Sequence, residues 1–167
     1  MKRLKVTISS ESGPHPRSPL GDPEAVYQAM QDLVELNHEV FEILHLDVKH
    51  RLIARQTVAV GTLDRALVHP REVFTGALLN GSAAIILVHN HPSGDPSPST
   101  QDSALTQRLA QGARILGIPI LDHVVVAAEG FVSLGRLGLV DGFQEGEVRP
   151  QAAERKDGGD EGRNHGT

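Results

Sequence analysis

The sequence predicts an α/β sandwich with a mixed β-sheet, a three-layer-like arrangement in a single domain. Three observations lead there. Segments with helically spaced apolar residues alternate with short segments of β-type residues. The nearly continuous apolar run Ser82-Ala83-Ala84-Ile85-Ile86-Leu87-Val88 marks a strand buried on both faces. Two further apolar runs flank Ala128-Glu129-Gly130 and read as a closing hairpin.

The elements follow in order. Asp22-Pro23 opens the first helix, with Val26, Met30, Leu33 and Val34 or Asn37 at helical spacing. Phe41 to Leu46 and Arg51 to Val60 read as strands joined by the turn Asp47-Val48-Lys49-His50. Pro70 starts a second helix that Asn80-Gly81 ends. The buried strand covers 83–88. A long helix over 99–117 carries Leu105, Leu109 and Leu116 on one face and stops near Gly117. Ile118 to Ala127 and Phe131 to Leu134 form the last hairpin. The domain therefore spans 23–142. Residues 7–22 are rich in Ser, Pro and Gly, and 144–167 are polar and charged, so 1–22 and 143–167 read as disordered tails.

Composition narrows the function. A chain of 167 residues is long enough for one real core. It has no cysteine, which excludes disulfides, thiolate ligands and a cysteine nucleophile. Zinc deaminases are excluded too, since they need cysteine ligands and His-x-Glu. No apolar run reaches the roughly 18 residues of a membrane span, and the N-terminus lacks a signal peptide's apolar stretch; the expected compartment is the cytoplasm. The 23–142 core carries eight basic and thirteen acidic side chains, and aromatics are 3 % of the chain. A duplex-binding surface should be basic and a single-strand platform aromatic, so nucleic acid is not expected as the main partner. Arg51, Arg55, Arg65 and Arg71 lie close in sequence, but such arginines ordinarily form a solvated face.

The chemistry resides in His89-Asn90-His91 and Asp102. Residues i and i+2 of a strand point the same way, so His89 and His91 are expected to emerge together just past the buried strand's end. Pro92 to Pro98 form a constrained loop. Ser99 or Ser97 then caps the long helix, whose opening turns hold Asp102. Strand end, tight loop and helix start thus aim two imidazoles and a carboxylate at one point. Three nitrogen and oxygen ligands with one position left for water suit catalytic zinc. Ser99-x-x-Asp102 taken alone matches a helix-capping pattern, and a lone histidine after a buried strand is ordinarily a hydrogen-bonded side chain. The conjunction of all four residues in a strand–loop–helix context is what points to metal.

His89-x-His91-x7-Ser99-x2-Asp102 resembles the JAMM signature of MPN/JAB-domain metalloproteases, and the string from His89 to Asp102 resembles their RadC-like branch. Further stretches fit that branch: His38 to Asp47, Gly61-Thr62-Leu63, His69-Pro70-Arg71-Glu72 and Leu121-Asp122-His123. The likeness runs from about residue 23 to 140. It implies the MPN/JAB, cytidine-deaminase-like architecture, one Zn²⁺ per chain on His89, His91 and Asp102, and hydrolysis of a peptide or isopeptide amide in a protein or peptide substrate. The contiguous His-Asn-His is not an HNH nuclease, whose three residues are spread over a longer element. RadC-like proteins often carry a helix-hairpin-helix module ahead of this domain. The 22 residues before it here are too few for one, which weakens any DNA-related role.

A metal-activated water also needs a base. Glu35, Glu39 and Glu42 stand near the first helix–strand junction, and spacing alone does not choose among them. Glu42 alternates away from Phe41, toward the other strand face. The resemblance selects Glu39, two residues before the aromatic that opens the strand. It also implies that Ser99 donates to the oxyanion, a duty compatible with capping the helix. Asp122 and His123 are candidates for orienting a ligand histidine, but a structural hydrogen bond at a strand start is the reading adopted. His45, His50, His69 and His165 read as ordinary histidines. The alternative function is a non-catalytic or weakly active MPN-type interaction module linked to DNA repair or mobile elements; an intact ligand set argues against it.

Overall fold

The computed structural model describes residues 19–61 and 68–140. Helices α1 (Pro23–Ala29) and α2 (Gln31–Val34) precede strands β1 (Val40–Leu46) and β2 (Leu52–Val60). Then come α3 (Pro70–Leu79), β3 (Ala84–Asn90), α4 (Thr100–Leu116), β4 (Ile120–Ala127) and β5 (Gly130–Ser133). One five-stranded sheet has the order β2-β1-β3-β4-β5. Its pairs are antiparallel except β3 with β4, which α4 connects as a parallel crossover. The sheet is therefore mixed, as predicted.

Alternation along the strands builds two cores. Phe41, Ile43, Ile85 and Leu87 pack on one face with Val73, Phe74, Leu105 and Leu109 from α3 and α4. Leu44, Ile86, Val88, Val124 and Val126 pack on the other with Val26, Met30 and Leu33. Helices thus cover both faces, giving three layers. Parity then puts His89 with Ile85 and Leu87 on the α3/α4 face and Asn90 on the α1/α2 face.

Four expectations need correction. The first helix is interrupted at Met30 (φ −114°, ψ 24°). The Tyr27 carbonyl, which would accept the Gln31 amide in a continuous helix, instead accepts from the Met30 N–H and the Gln31 side chain. The buried strand reaches Asn90 rather than Val88, so His89 lies inside it and only His91 emerges past its end. Polar side chains extend a buried strand here because each finds a hydrogen-bond partner. Leu116 is 45 % exposed; Gly117 in the left-handed region (φ 67°) turns the chain back, and Ile118 fills the space under the last turn instead. Finally, Leu20 is buried and its N–H donates to the His50 carbonyl at 2.9 Å, so packed structure begins before residue 23. The predicted tails otherwise lie outside the described residues.

Gly76 ties α3 to β2. A Cβ there would overlap the Gln56 side chain, whose amide donates to the Glu72 carbonyl and accepts from the buried His45 ring. Gly76→Ala should therefore lower the urea midpoint of unfolding. Disrupting that buried pairing costs about 1–3 kcal/mol, more than the roughly 1 kcal/mol of helix propensity gained. A raised midpoint would mean that Gln56 swings aside freely.

Candidate metal centre

Three ligand atoms converge where β3 ends and α4 begins. His89, His91 and Asp102 each present one such atom, all within 4.8 Å of one another. His89 Nε2 lies 3.3 Å from Asp102 Oδ1, His91 Nε2 lies 3.5 Å from Asp102 Oδ2, and the two nitrogens are 3.0 Å apart. Nitrogen and oxygen ligands bound tetrahedrally at about 2.0–2.1 Å stand about 3.3 Å from each other. The donor set therefore fits a divalent ion in both chemistry and spacing.

The chain holds each ligand in place by local means. Ser99 is the N-cap of α4; its hydroxyl oxygen accepts from the Asp102 N–H, while its own N–H donates to Asp102 Oδ2 at 2.7 Å. This reciprocal capping box pulls the carboxylate back over the helix start. The loop before it is pinned at Gly94, which takes the left-handed region (φ 94°) and accepts from the Glu129 N–H. His91 Nδ1 lies 3.0 Å from the Asp95 carbonyl. A carbonyl only accepts, so the His91 hydrogen sits on Nδ1 and its Nε2 is left to face Asp102.

Burial opposes ionisation of Asp102, but its close contacts with His89, His91 and Ser99 outweigh it and hold its carboxyl far below the usual range. The Asp102 hydrogen bond in turn raises His91, against its partial burial. The site thus keeps a carboxylate ionised in a nearly closed position, with 4 % of Asp102 exposed.

Beside the ligands lies a cavity of about 410 Å³ lined by Glu39, His91, Pro92, Ser93, Ser99, Gln101 and Asp102. Of the three candidate glutamates, Glu39 shares this space. Glu35 is exposed. Glu42 turns to the opposite face, as its alternation predicts, and is bound by Arg55 and Thr57. The Ser99 hydroxyl proton points to Asp102 Oδ2 at 2.7 Å; acting on an oxyanion requires the hydroxyl to rotate.

Sequence reading missed two residues that shape the site, Asn90 and Thr106, and gave a third, His123, the wrong one of two weighed roles. Asn90, 1 % exposed, accepts from the Val40 N–H at 2.7 Å and donates to the His38 carbonyl at 2.9 Å. It therefore grips the backbone on both sides of Glu39. A polar residue within a buried strand end was the available signal, because such a group requires partners. His123, assigned a structural role, instead lies 2.8 Å from His89 Nδ1, and its other nitrogen is 2.6 Å from Thr106 Oγ1. Complete burial, together with the neighbouring His89, pushes His123 well below its ordinary pKa. Asp122 does keep the structural role, accepting from Ser133 and the Gly135 and His123 amides.

Two of the four clustered arginines form ion pairs. Arg51 binds Asp47, and Arg55 binds Asp32 and Glu42; Arg65 and the Thr62-Leu63 stretch lie outside the described residues. No helix among the described residues is long and apolar enough to cross a membrane.

Comparison with known proteins agrees with this geometry. The family model described as RadC-like JAB domain matches residues 20–139. A UPF0758 protein of Methanosarcina mazei is 44 % identical over 126 residues, covering 75 % of this chain and 55 % of that protein. One from Desulforamulus reducens is 47 % identical over 111 residues, 66 % of this chain and 49 % of the relative. One from Geobacillus thermodenitrificans is 43 % identical over 131 residues, 78 % and 58 % respectively. The chain spans about half the length of the curated relatives it matches.

Proposed function

The chain belongs to the RadC-like JAB domain family, and from that membership and the site's geometry we propose a JAMM-type metallopeptidase that hydrolyses a peptide or isopeptide amide. The observation that carries the proposal is the shared location of its parts. Three ligand atoms converge on one point, and two of those ligands, His91 and Asp102, border a cavity together with the Glu39 carboxylate and the Ser99 hydroxyl. His89, His91 and Asp102 would hold one zinc ion. When bound, zinc supplies Lewis acidity that brings a water's pKa to about 7 and polarises a carbonyl.

The residues do the rest. Glu39 accepts a proton from water in the cavity and returns it to the leaving amine. Ser99 turns its hydroxyl from Asp102 toward the developing oxyanion. Asn90 keeps Glu39 in register with the ligands, since it binds the peptide groups flanking that residue.

Elemental analysis of the purified chain, joined to a mass-spectrometric search for cleaved proteins, tests this reading. One zinc per chain is expected, with cleavage abolished by a chelator and restored by zinc. A folded, metal-free protein that still binds partners would favour the interaction-module alternative. Salt-sensitive retardation of DNA would favour a nucleic-acid role.

A further inference from the structure

We propose that Thr106 and His123 are positioning residues that fix the ring tautomer of His89, and thereby tune the affinity of the cluster for a divalent ion. The inference rests on the metal-centre reading above, and hydrogen-bond directions carry it.

Thr106 Oγ1 lies 2.6 Å from the Asp102 carbonyl oxygen. A carbonyl oxygen only accepts, so the hydroxyl proton is committed to it. The same hydroxyl oxygen lies 2.6 Å from His123 Nδ1. Having given up its proton, it can only accept, so the hydrogen there belongs to His123 Nδ1. In an uncharged ring His123 Nε2 is then bare. It stands 2.8 Å from His89 Nδ1 and must accept, which places the His89 hydrogen on Nδ1. His89 Nε2, the atom facing Asp102 Oδ1 at 3.3 Å, is left with its lone pair.

Burial makes the relay strict. His89, His123 and Thr106 are each fully buried, so no solvent molecule easily replaces a missing partner. The tautomer matters because the other form has a partner of its own. With hydrogen on Nε2, His89 would donate to the Asp102 carboxylate, a charge-assisted bond that competes with any ion. The relay removes that option. It also begins and ends on one residue, since the Asp102 carbonyl sets the tautomer of the ring that faces the Asp102 carboxylate. Partners that orient ligand histidines are ordinarily worth about 10–100-fold in metal affinity.

The test uses the full chain, metal-free, at about pH 8, where free imidazoles are uncharged. Long-range ¹H–¹⁵N spectra of the imidazoles read the tautomer of His89, and zinc titration against a chromogenic chelator reads the affinity. Wild type and Thr106→Ser should show the Nδ1–H form and bind alike. Thr106→Val should lose the single tautomer and bind zinc about 10–100-fold more weakly. Thr106→Ala serves the same comparison should the valine variant not fold. Unchanged affinity in both, or a wild-type His89 protonated on Nε2, overturns the proposal. Wild type that shows the Nδ1–H form yet binds no zinc would support the relay but overturn its role in affinity, and the metal-centre reading would fall with it.

Discussion

Glu39→Gln is expected to slow hydrolysis by roughly 10² to 10⁴, the usual contribution of a positioned base, while the protein retains its full metal content. Glutamine is nearly isosteric with glutamate, so it occupies the same side of the cavity shared with His91, Ser99 and Asp102. It has no basic site able to take a proton near neutral pH. None of the three ligand atoms changes, so zinc per chain, measured by elemental analysis, should match wild type. Rates are best compared on a substrate found through the cleaved-protein search. Undiminished hydrolysis in this variant would transfer the proton role to another group and remove Glu39 from the mechanism.

Asp102→Asn is expected to weaken metal binding by more than about 100-fold, beyond what loss of an orienting partner costs. Asparagine preserves much of the helix start, because its oxygen still accepts from the Ser99 N–H. What it lacks is the charge that burial would otherwise suppress and that His89, His91 and Ser99 sustain. Zinc content after dialysis measures the loss, and retention of stoichiometric metal would show that the two histidines suffice.

The same pair carries a pH signature in the metal-free protein. Hydrogen bonding to Asp102 raises His91 above its ordinary pKa, so the stabilisation is present below about pH 6.5 and fades as pH rises through the folded value. The lowered Asp102 value means that the carboxylate's contribution fades only in strong acid. The stability gap between wild type and Asp102→Asn should accordingly be widest between roughly pH 4 and 6.5. Urea midpoints across that range check the sign.

Much of the site was legible because its ligands are set by local rules. His89 and His91 share a direction through strand parity, and Asp102 reaches back through a capping box only three residues long. The boundaries were less legible. The apolar run suggested a strand ending at Val88, whereas His89 and Asn90 continue it because the fold supplies their partners. Leu116 fitted the helical stripe yet is exposed, because the left-handed turn at Gly117 substitutes Ile118.

Glu39 shows the divide most clearly. Spacing left three glutamates open, and family resemblance selected one. The antiparallel β1–β3 register, with Phe41 opposite His89, gives that choice a physical basis.

The sequence by itself determined the order of elements, the strand–loop–helix unit and the three convergent side chains that could hold a metal, since each depends on neighbours within a few residues. Tertiary structure alone decided which distant groups serve them. His123 reaches His89 through the parallel β3–β4 pairing that sets it opposite Leu87, and Asn90 meets residues 38 and 40 across a separation of about 50 positions. Such contacts arise from how strands stack side by side, which periodicity along one strand does not encode.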